Sequence, residues 1–458
     1  MNRDQSFFQK AFLLIVSNLS TGVLAFIYSI ILSRELGAEG MGLYGLIFPI
    51  NALLLSVITG GMMIAVSKVI SEYKAKNEPE NIRKTINTTL VFNLVFSLVL
   101  ILVTYLFSYQ ISLKVINDLR ALYGLRLVLI STLFMALSNT YKGYFFGTMK
   151  VTIPAVIDIF EKLVRIFLLL ICFKAYQIDS ITNLVTISFL IFAIGELASL
   201  IFFFLYYHVD QKPYRKNRST ETTKGILKKI LLISVPLMLA ELISSSLSTV
   251  STLIIPRRLM AGGFNYVESL ELIGRFAQMS MQIVFFPIII IRSIISILVP
   301  DITDSLNKSE IEKVSERIRS VFNFTIQVGI GVTIICLLFG DKLGQMMFKR
   351  DDLGVYIRFL AYIVPFVYVS GITRGILNGL GKQNVLLKNT IIFSIIETIL
   401  LYIVVAIPEI NVYGLGIALF LEAVLTIAIN IHVIKKTIPI KFIQFPNKQL
   451  KLSTKTKS

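Results

Sequence analysis

The residues in this sequence with the means to do chemistry are charges set deep inside apolar stretches. Glu241 stands 11 residues into an apolar run that begins at Ile230, about 16 Å along a helix at 1.5 Å per residue. Glu196, Glu397 and Glu422 lie near the middle of their own runs. The run 151–176 carries Asp158, Glu161, Lys162 and Arg165. There Asp158–Lys162 and Glu161–Arg165 are opposite charges four residues apart, neighbours on one helix face. Glu271–Arg275 repeats that spacing, and Arg292 follows in the same run. A charge at mid-bilayer costs roughly 2.5–3.5 kcal/mol on insertion scales, so it turns toward a partner or toward water. The paired charges read as locks between helices. Glu241 has no base near it on its own helix, so it needs a partner from another helix or water in a cavity. It is the foremost candidate for an intramembrane functional residue. Arg34, Arg257, Arg258 and Arg275 gather near the ends of three runs on one side. With Arg292 and Glu241 they form the expected wall of a substrate cavity, one whose positive potential suits an anion.

Covalent chemistry has no such support. His208 and His432 are far apart, and Cys172 and Cys336 both fall in apolar runs. No metal-ligand spacing exists, so neither a metal nor another cofactor is expected. No loop gathers acid–base residues as an enzyme would require. Asp301 and Asp304 read as caps of the helix that follows them.

The elements that must hold these charges are membrane helices. Apolar residues make up 55% of 458 and the mean hydropathy is +0.77. Twelve apolar runs can be drawn, from 11–32 to 412–434, most of them near the roughly 20 residues of a crossing. The expected fold is an all-α integral membrane protein of twelve transmembrane helices in two parallel six-helix repeats. Its expected parts are a bundle over 1–207, a cytoplasmic linker over 208–229, a second bundle over 230–435 and a basic cytoplasmic tail over 436–458. Pro49, Pro236, Pro287 and Pro365 lie within runs, where the missing donor bends a helix, and are expected hinges. The net charge of +18 is no sign of nucleic acid: 30 of the 45 Lys and Arg fall on one side of the twelve runs. That asymmetry puts both termini in the cytoplasm of a multi-pass cell-membrane protein, whose basic tail faces anionic lipid headgroups.

The repeat is written in the loops. Residues 138–150, SNTYKGYFFGTMK, match 370–382, SGITRGILNGLGK, at Ser138/Ser370, Gly143/Gly375, Gly147/Gly379 and Lys150/Lys382. Lys142 faces Arg374 in the comparison, and the offset is 232 residues. The glycines read as turn residues between the fourth and fifth helix of each half, and the bases beside them as topology anchors. LSREL at 32–36 matches IPRRL at 255–259, and FPI at 48–50 matches FPI at 286–288. Six crossings return the chain to its starting side. The halves therefore run the same way about an axis along the membrane normal, with a cavity between them, which is transporter architecture.

Beyond this reading, residues 34–44, RELGAEGMGLY, followed by Pro49, resemble the first outer loop of polysaccharide-transport exporters of the MOP superfamily. The stretch 255–263, with Gly274, Pro287 and 298–300, is similar to the stage V sporulation protein B family, as is 142–147 through Pro154 to Glu161 and Arg165. The resemblance covers about residues 10 to 435. It implies alternating access and the flipping of a polyprenyl-pyrophosphate-linked saccharide, a precursor of cell wall, spore cortex or surface polysaccharide, by a monomer in the bilayer. It also implies coupling to an H+ or Na+ gradient, a role that suits Glu241. MurJ-type lipid II flippases carry cavity arginines in the first helix where Gly22 and Tyr28 stand here, and fourteen helices instead of twelve. A MATE-type pump for organic cations shares the fold and would favour an acidic cavity; a membrane enzyme on polyprenyl-linked sugars would need a catalytic loop.

Overall fold

The computed structural model describes residues 3–175, 180–211 and 221–438. Residues 212–220 of the expected linker and 439–458 of the expected tail lie outside the described residues. Among the described residues every regular element is helical. The first half holds α1 (Arg3–Thr59), α2 (Met62–Ala75), α3 (Pro79–Leu106), α4 (Ser108–Gln110), α5 (Leu122–Gly147), α6 (Thr152–Ala175) and α7 (Ile181–Gln211). The second holds α8 (Thr223–Ala261), α9 (Tyr266–Ile273), α10 (Met281–Phe285), α11 (Ile288–Asn307), α12 (Ile311–Phe348), α13 (Gly354–Ala361), α14 (Val364–Gly379), α15 (Gln383–Val404) and α16 (Tyr413–Thr437). π-Helical turns occupy Ile111–Ile116 and Gly274–Ser280.

Among the described residues eight helices are long and apolar enough to cross a membrane, or up to ten if each bent pair is one span. The chain is a multi-pass membrane protein. Residues of α1 and α2 form one of these eight, yet α1 alone would measure roughly 85 Å if straight, far beyond a bilayer. It folds back at Gly37, whose φ of 66° breaks the helix. Thr152–Ala175 carries too many charges to qualify by hydropathy, and the expected twelve crossings need it too. Bends of 55° and 50° follow α10 and α13. Pro287 and Pro365 stand at those bends, whereas Pro49 and Pro236 sit inside continuous helices.

The paired glycines are not turn residues. α5 runs ten residues past the apolar stretch 119–137 and ends at Gly147, and α14 ends at Gly379. Polar residues continue the helix because its small-residue face is buried against a neighbour, the small-xxx-small contact of membrane helices. Gly143 and Gly147 face Val66, Ser67 and Ile70 of α2; Gly375 and Gly379 face Ile295 and Ile302 of α11. The left-handed residues that turn the chain come later, Met149 (φ 62°) and Gly381 (φ 71°), again 232 apart. Hydroxyls repeat the pattern. Ser71 donates to the Gly147 carbonyl at 3.0 Å, and Thr303, 232 residues on, donates to the Gly379 carbonyl at 3.1 Å.

Where the halves meet, α8 lies along α2. Thr249 donates to the Pro49 carbonyl at 3.1 Å, and Ile226 and Ile230 pack among Met62, Val69 and Tyr73. Phe26 of α1 also stacks on Phe286 at 4.2 Å.

Candidate functional site

A cavity of about 550 Å³ lies between the halves. α1 supplies Tyr28, Ser29, Tyr44, Phe48 and Pro49; α6 supplies Lys162 and Arg165; α7 supplies Phe192 and Glu196; Thr252, Gln278 and Gln282 come from the second half. Ser29 donates to Gln282 across the seam. The Tyr28 hydroxyl is buried and has no hydrogen-bond partner among the described residues. Gln278 is carried by the π-helical turn Gly274–Ser280. Such a turn is often found at functional sites.

One wall of the cavity is a charge cluster. Arg165 pairs with Glu161, as the four-residue spacing predicts, and also reaches Glu196 at 2.5 Å from the next helix. Its guanidinium lies 4.0 Å from the centroid of the Phe192 ring. Lys162 pairs with Glu161 and not with Asp158; Asp158 instead meets Lys142 of α5 at 2.8 Å. The four-residue spacing offered Asp158 only Lys162, and the packing of α5 against α6 gives it Lys142 instead.

The second half has its own cluster, away from this cavity. Arg374 pairs with Glu422, and Glu397 lies within electrostatic reach of both. Of the four carboxylates expected near mid-membrane, Glu196 and Glu422 are thus paired, while Glu241 and Glu397 make no ion pair among the described residues. The Glu241 carboxylate lies near the backbone N–H of Gly61, the left-handed residue at the break between α1 and α2. It shares its helix face with Ser234, Ser245 and Thr252, at spacings of 7, 4 and 11 residues. Arg292 is exposed, on the face of α11 that carries Ile289 toward Gly22 of α1.

The arginines expected along the cavity are elsewhere. Arg34 donates to the carbonyls of Met346 and Met347, each at 2.7 Å. Arg257 donates to those of Lys114 and Val115. Arg258 binds the Tyr402 carbonyl at 2.7 Å and stacks on that residue's ring. Arg275 pairs with Glu271 and lies 3.3 Å from Asp352. Asp352 is itself held below the ordinary carboxylate range by the hydrogen bonds of Arg350. None of these four arginines lines the cavity. A guanidinium near a helix end finds free carbonyls within reach, and sequence position alone does not reveal them. Asp301 and Asp304 are not caps either: both lie within α11 and pair with Arg317 and Lys308. Tyr28, met in the sequence at the place of a cavity arginine of MurJ-type flippases, does line the cavity, and the polar residues passed over are uncharged: Ser29, Gln278 and Gln282. The amides four apart in an apolar run were the available signal.

The profile of a family described as "Polysaccharide biosynthesis protein" matches residues 7–306 and 300–457. The chain belongs to this family. It is similar to stage V sporulation protein B of Bacillus subtilis, 23% identical over 95% of this chain and 85% of that one. It is also similar to the lipid II flippase MurJ of the same organism, 20% identical over 85% of this chain and 75% of that protein. Among solved structures it resembles an inward-facing multidrug resistance MATE family transporter of the MOP superfamily, with a TM-score of 0.72. That match covers 92% of this chain and 98% of the other at 15% identity. The fold is therefore that of the MOP transporters, and the family is one of membrane transporters of polysaccharide biosynthesis.

Proposed function

We propose that this protein flips a polyprenyl-pyrophosphate-linked saccharide from the inner to the outer leaflet of the cell membrane, by alternating access and as a monomer. The observation that carries the reading is the chemistry of the cavity. Hydroxyls and amides from Tyr28, Ser29, Thr252, Gln278 and Gln282 face the same space as the rings of Tyr44, Phe48 and Phe192 and the cations Lys162 and Arg165. Sugars present hydroxyls and flat apolar faces, and a pyrophosphate presents oxygens that cations bind. A sugar–pyrophosphate headgroup cannot cross hydrocarbon unaided, because each unsatisfied polar group costs several kcal/mol there. Lys162 and Arg165 outnumber Glu196 among the charges lining the space, which favours an anionic headgroup over an organic cation. Arg292 of α11, exposed and without an ion pair among the described residues but outside the lining of this cavity, offers a second cation for phosphate.

In this reading the bundles 1–207 and 230–435 rock about the seam, and Pro287 and Pro365 at the bends serve as hinges. A proton or Na+ gradient drives the cycle through Glu241, whose carboxylate faces a helix break and no cation. Glu241→Gln is expected to impair transport and leave membrane insertion intact; transport at the parent rate would remove Glu241 from the mechanism. The reading as a whole is tested by mass spectrometry of polyprenyl-phosphate lipids from cells with and without the gene. One lipid-linked saccharide building up in its absence supports the flippase and names the substrate. An unchanged lipid pool, with new sensitivity to cationic dyes, replaces it with efflux.

A further inference from the structure

The outer ends of the two halves, outer by the distribution of Lys and Arg, meet in contacts that repeat about the pseudo-twofold axis. Met346 lies 232 positions after Lys114, and Met347 lies 232 after Val115. Arg34 and Arg257 are matched residues of the repeated LSREL and IPRRL segments. Arg34 at the end of the first crossing thus binds two carbonyls at the C-terminal end of α12 in the other half. Arg257 binds the equivalent two, at the end of the π-helical turn Ile111–Ile116, back in the first half. Glycines obey the same relation. Gly42 lies against the Leu270 carbonyl and Gly274 against the Ala38 carbonyl, and both pairs are related by 232 residues. A methyl group would approach those oxygens to 2.2 and 1.9 Å, so only glycine lets the ends come this close.

We infer that Arg34 and Arg257 are a symmetric pair of latches that hold the outer gate shut, with Gly42 and Gly274 forming the seam they close. Each guanidinium neutralises the negative end of a helix that belongs to the opposite half. Opening the outer face must break all four carbonyl contacts together, because one rigid-body movement separates both ends. Two latches, one from each half, also keep the closed halves from tilting about either contact alone. Arg258, one residue from Arg257, makes its contacts within its own half, to Tyr402, and has no part in the latch. The inference rests on the alternating-access reading, but its readout is a distance and needs no transport.

The test uses the full chain in lipid nanodiscs with Cys172 and Cys336 replaced. Spin labels at Leu119→Cys and Val355→Cys, exposed residues near the outer ends of the two halves, report the separation by pulsed electron resonance. Each of Arg34→Ala and Arg257→Ala is expected to raise the ratio of separated to closed distances about threefold to tenfold, the effect of one lost charge–dipole contact, and the double variant by about the product. Gly274→Ala is expected to shift the distribution the same way through steric clash. Arg258→Ala is expected to leave it in place. An unchanged distribution in the double variant, or an equal shift in Arg258→Ala, overturns the latch. A normal latch result with no lipid-linked saccharide accumulating in the deletion strain would leave the latch standing and remove the substrate assignment.

Discussion

The two halves carry comparable charge clusters with different balance. In the first, Lys142, Lys162 and Arg165 meet Asp158, Glu161 and Glu196, three bases for three acids. In the second, Arg374 stands alone beside Glu422 and Glu397. Burial differs as well. The side chains of Arg165, Glu161 and Glu196 are 6%, 5% and 13% exposed, against 41% and 19% for Arg374 and Glu422. Desolvated ions need every partner, whereas ions open to water can lose one. The first cluster is therefore a fixed wall of the cavity, and it holds its cations in place for a ligand. The second has a carboxylate to spare and room to rearrange.

This difference is open to a direct test, and the largest effect is expected at Arg165. Arg165→Ala leaves two buried carboxylates without their cation, a loss of about 3–5 kcal/mol. Arg374→Ala removes a more exposed cation from a largely buried acid and is expected to lose less, about 1–3 kcal/mol. Thermal unfolding of the two purified variants, followed by loss of the monodisperse peak in detergent, measures both. Similar midpoints would dissolve the contrast between a rigid and a rearrangeable cluster.

Sequence reached the parts of this picture that are local. Glu161–Arg165 and Glu271–Arg275 follow from helix spacing alone, and the apolar runs locate the crossing helices, though helix ends run past them, by ten residues in α5. The 232-residue offset, first seen in two loops, recurs in hydroxyl bonds, glycine contacts and arginine contacts across the fold. What spacing cannot give is rotation and reach. Glu196 for Arg165, Lys142 for Asp158 and Glu422 for Arg374 depend on which faces of separate helices meet. The outer arginines were expected to face a cavity because their charge is apparent in sequence; their acceptors are main-chain carbonyls, which every sequence position possesses and none advertises. The uncharged cavity residues Gln278 and Gln282 were passed over for the converse reason, since an amide in an apolar run attracts no notice beside an ion. Turn chemistry misled once. Gly147 and Gly379 sit near the end of a helix, where glycine is common for either reason.

Those two glycines give the last and smallest test of how the halves differ. A methyl on Gly147 would come within 2.7 Å of the Ser67 carbonyl and 2.9 Å of Ile70, so α5 must move from α2. On Gly379 the nearest approach is 3.1 Å, to the Ile302 side chain, and the Val299 carbonyl is 3.3 Å away. Overpacking costs about 1–3 kcal/mol, while alanine in place of glycine in a helix returns about 1 kcal/mol at most. Gly147→Ala is therefore expected to destabilise by about 1–2 kcal/mol. Gly379→Ala is expected to change stability little, because its small overlap and its propensity gain nearly cancel. Paired melting curves decide it. A larger loss for Gly379→Ala would mean that the second half, not the first, is the tighter body. The cavity wall carried by the first half would then have to move during the cycle.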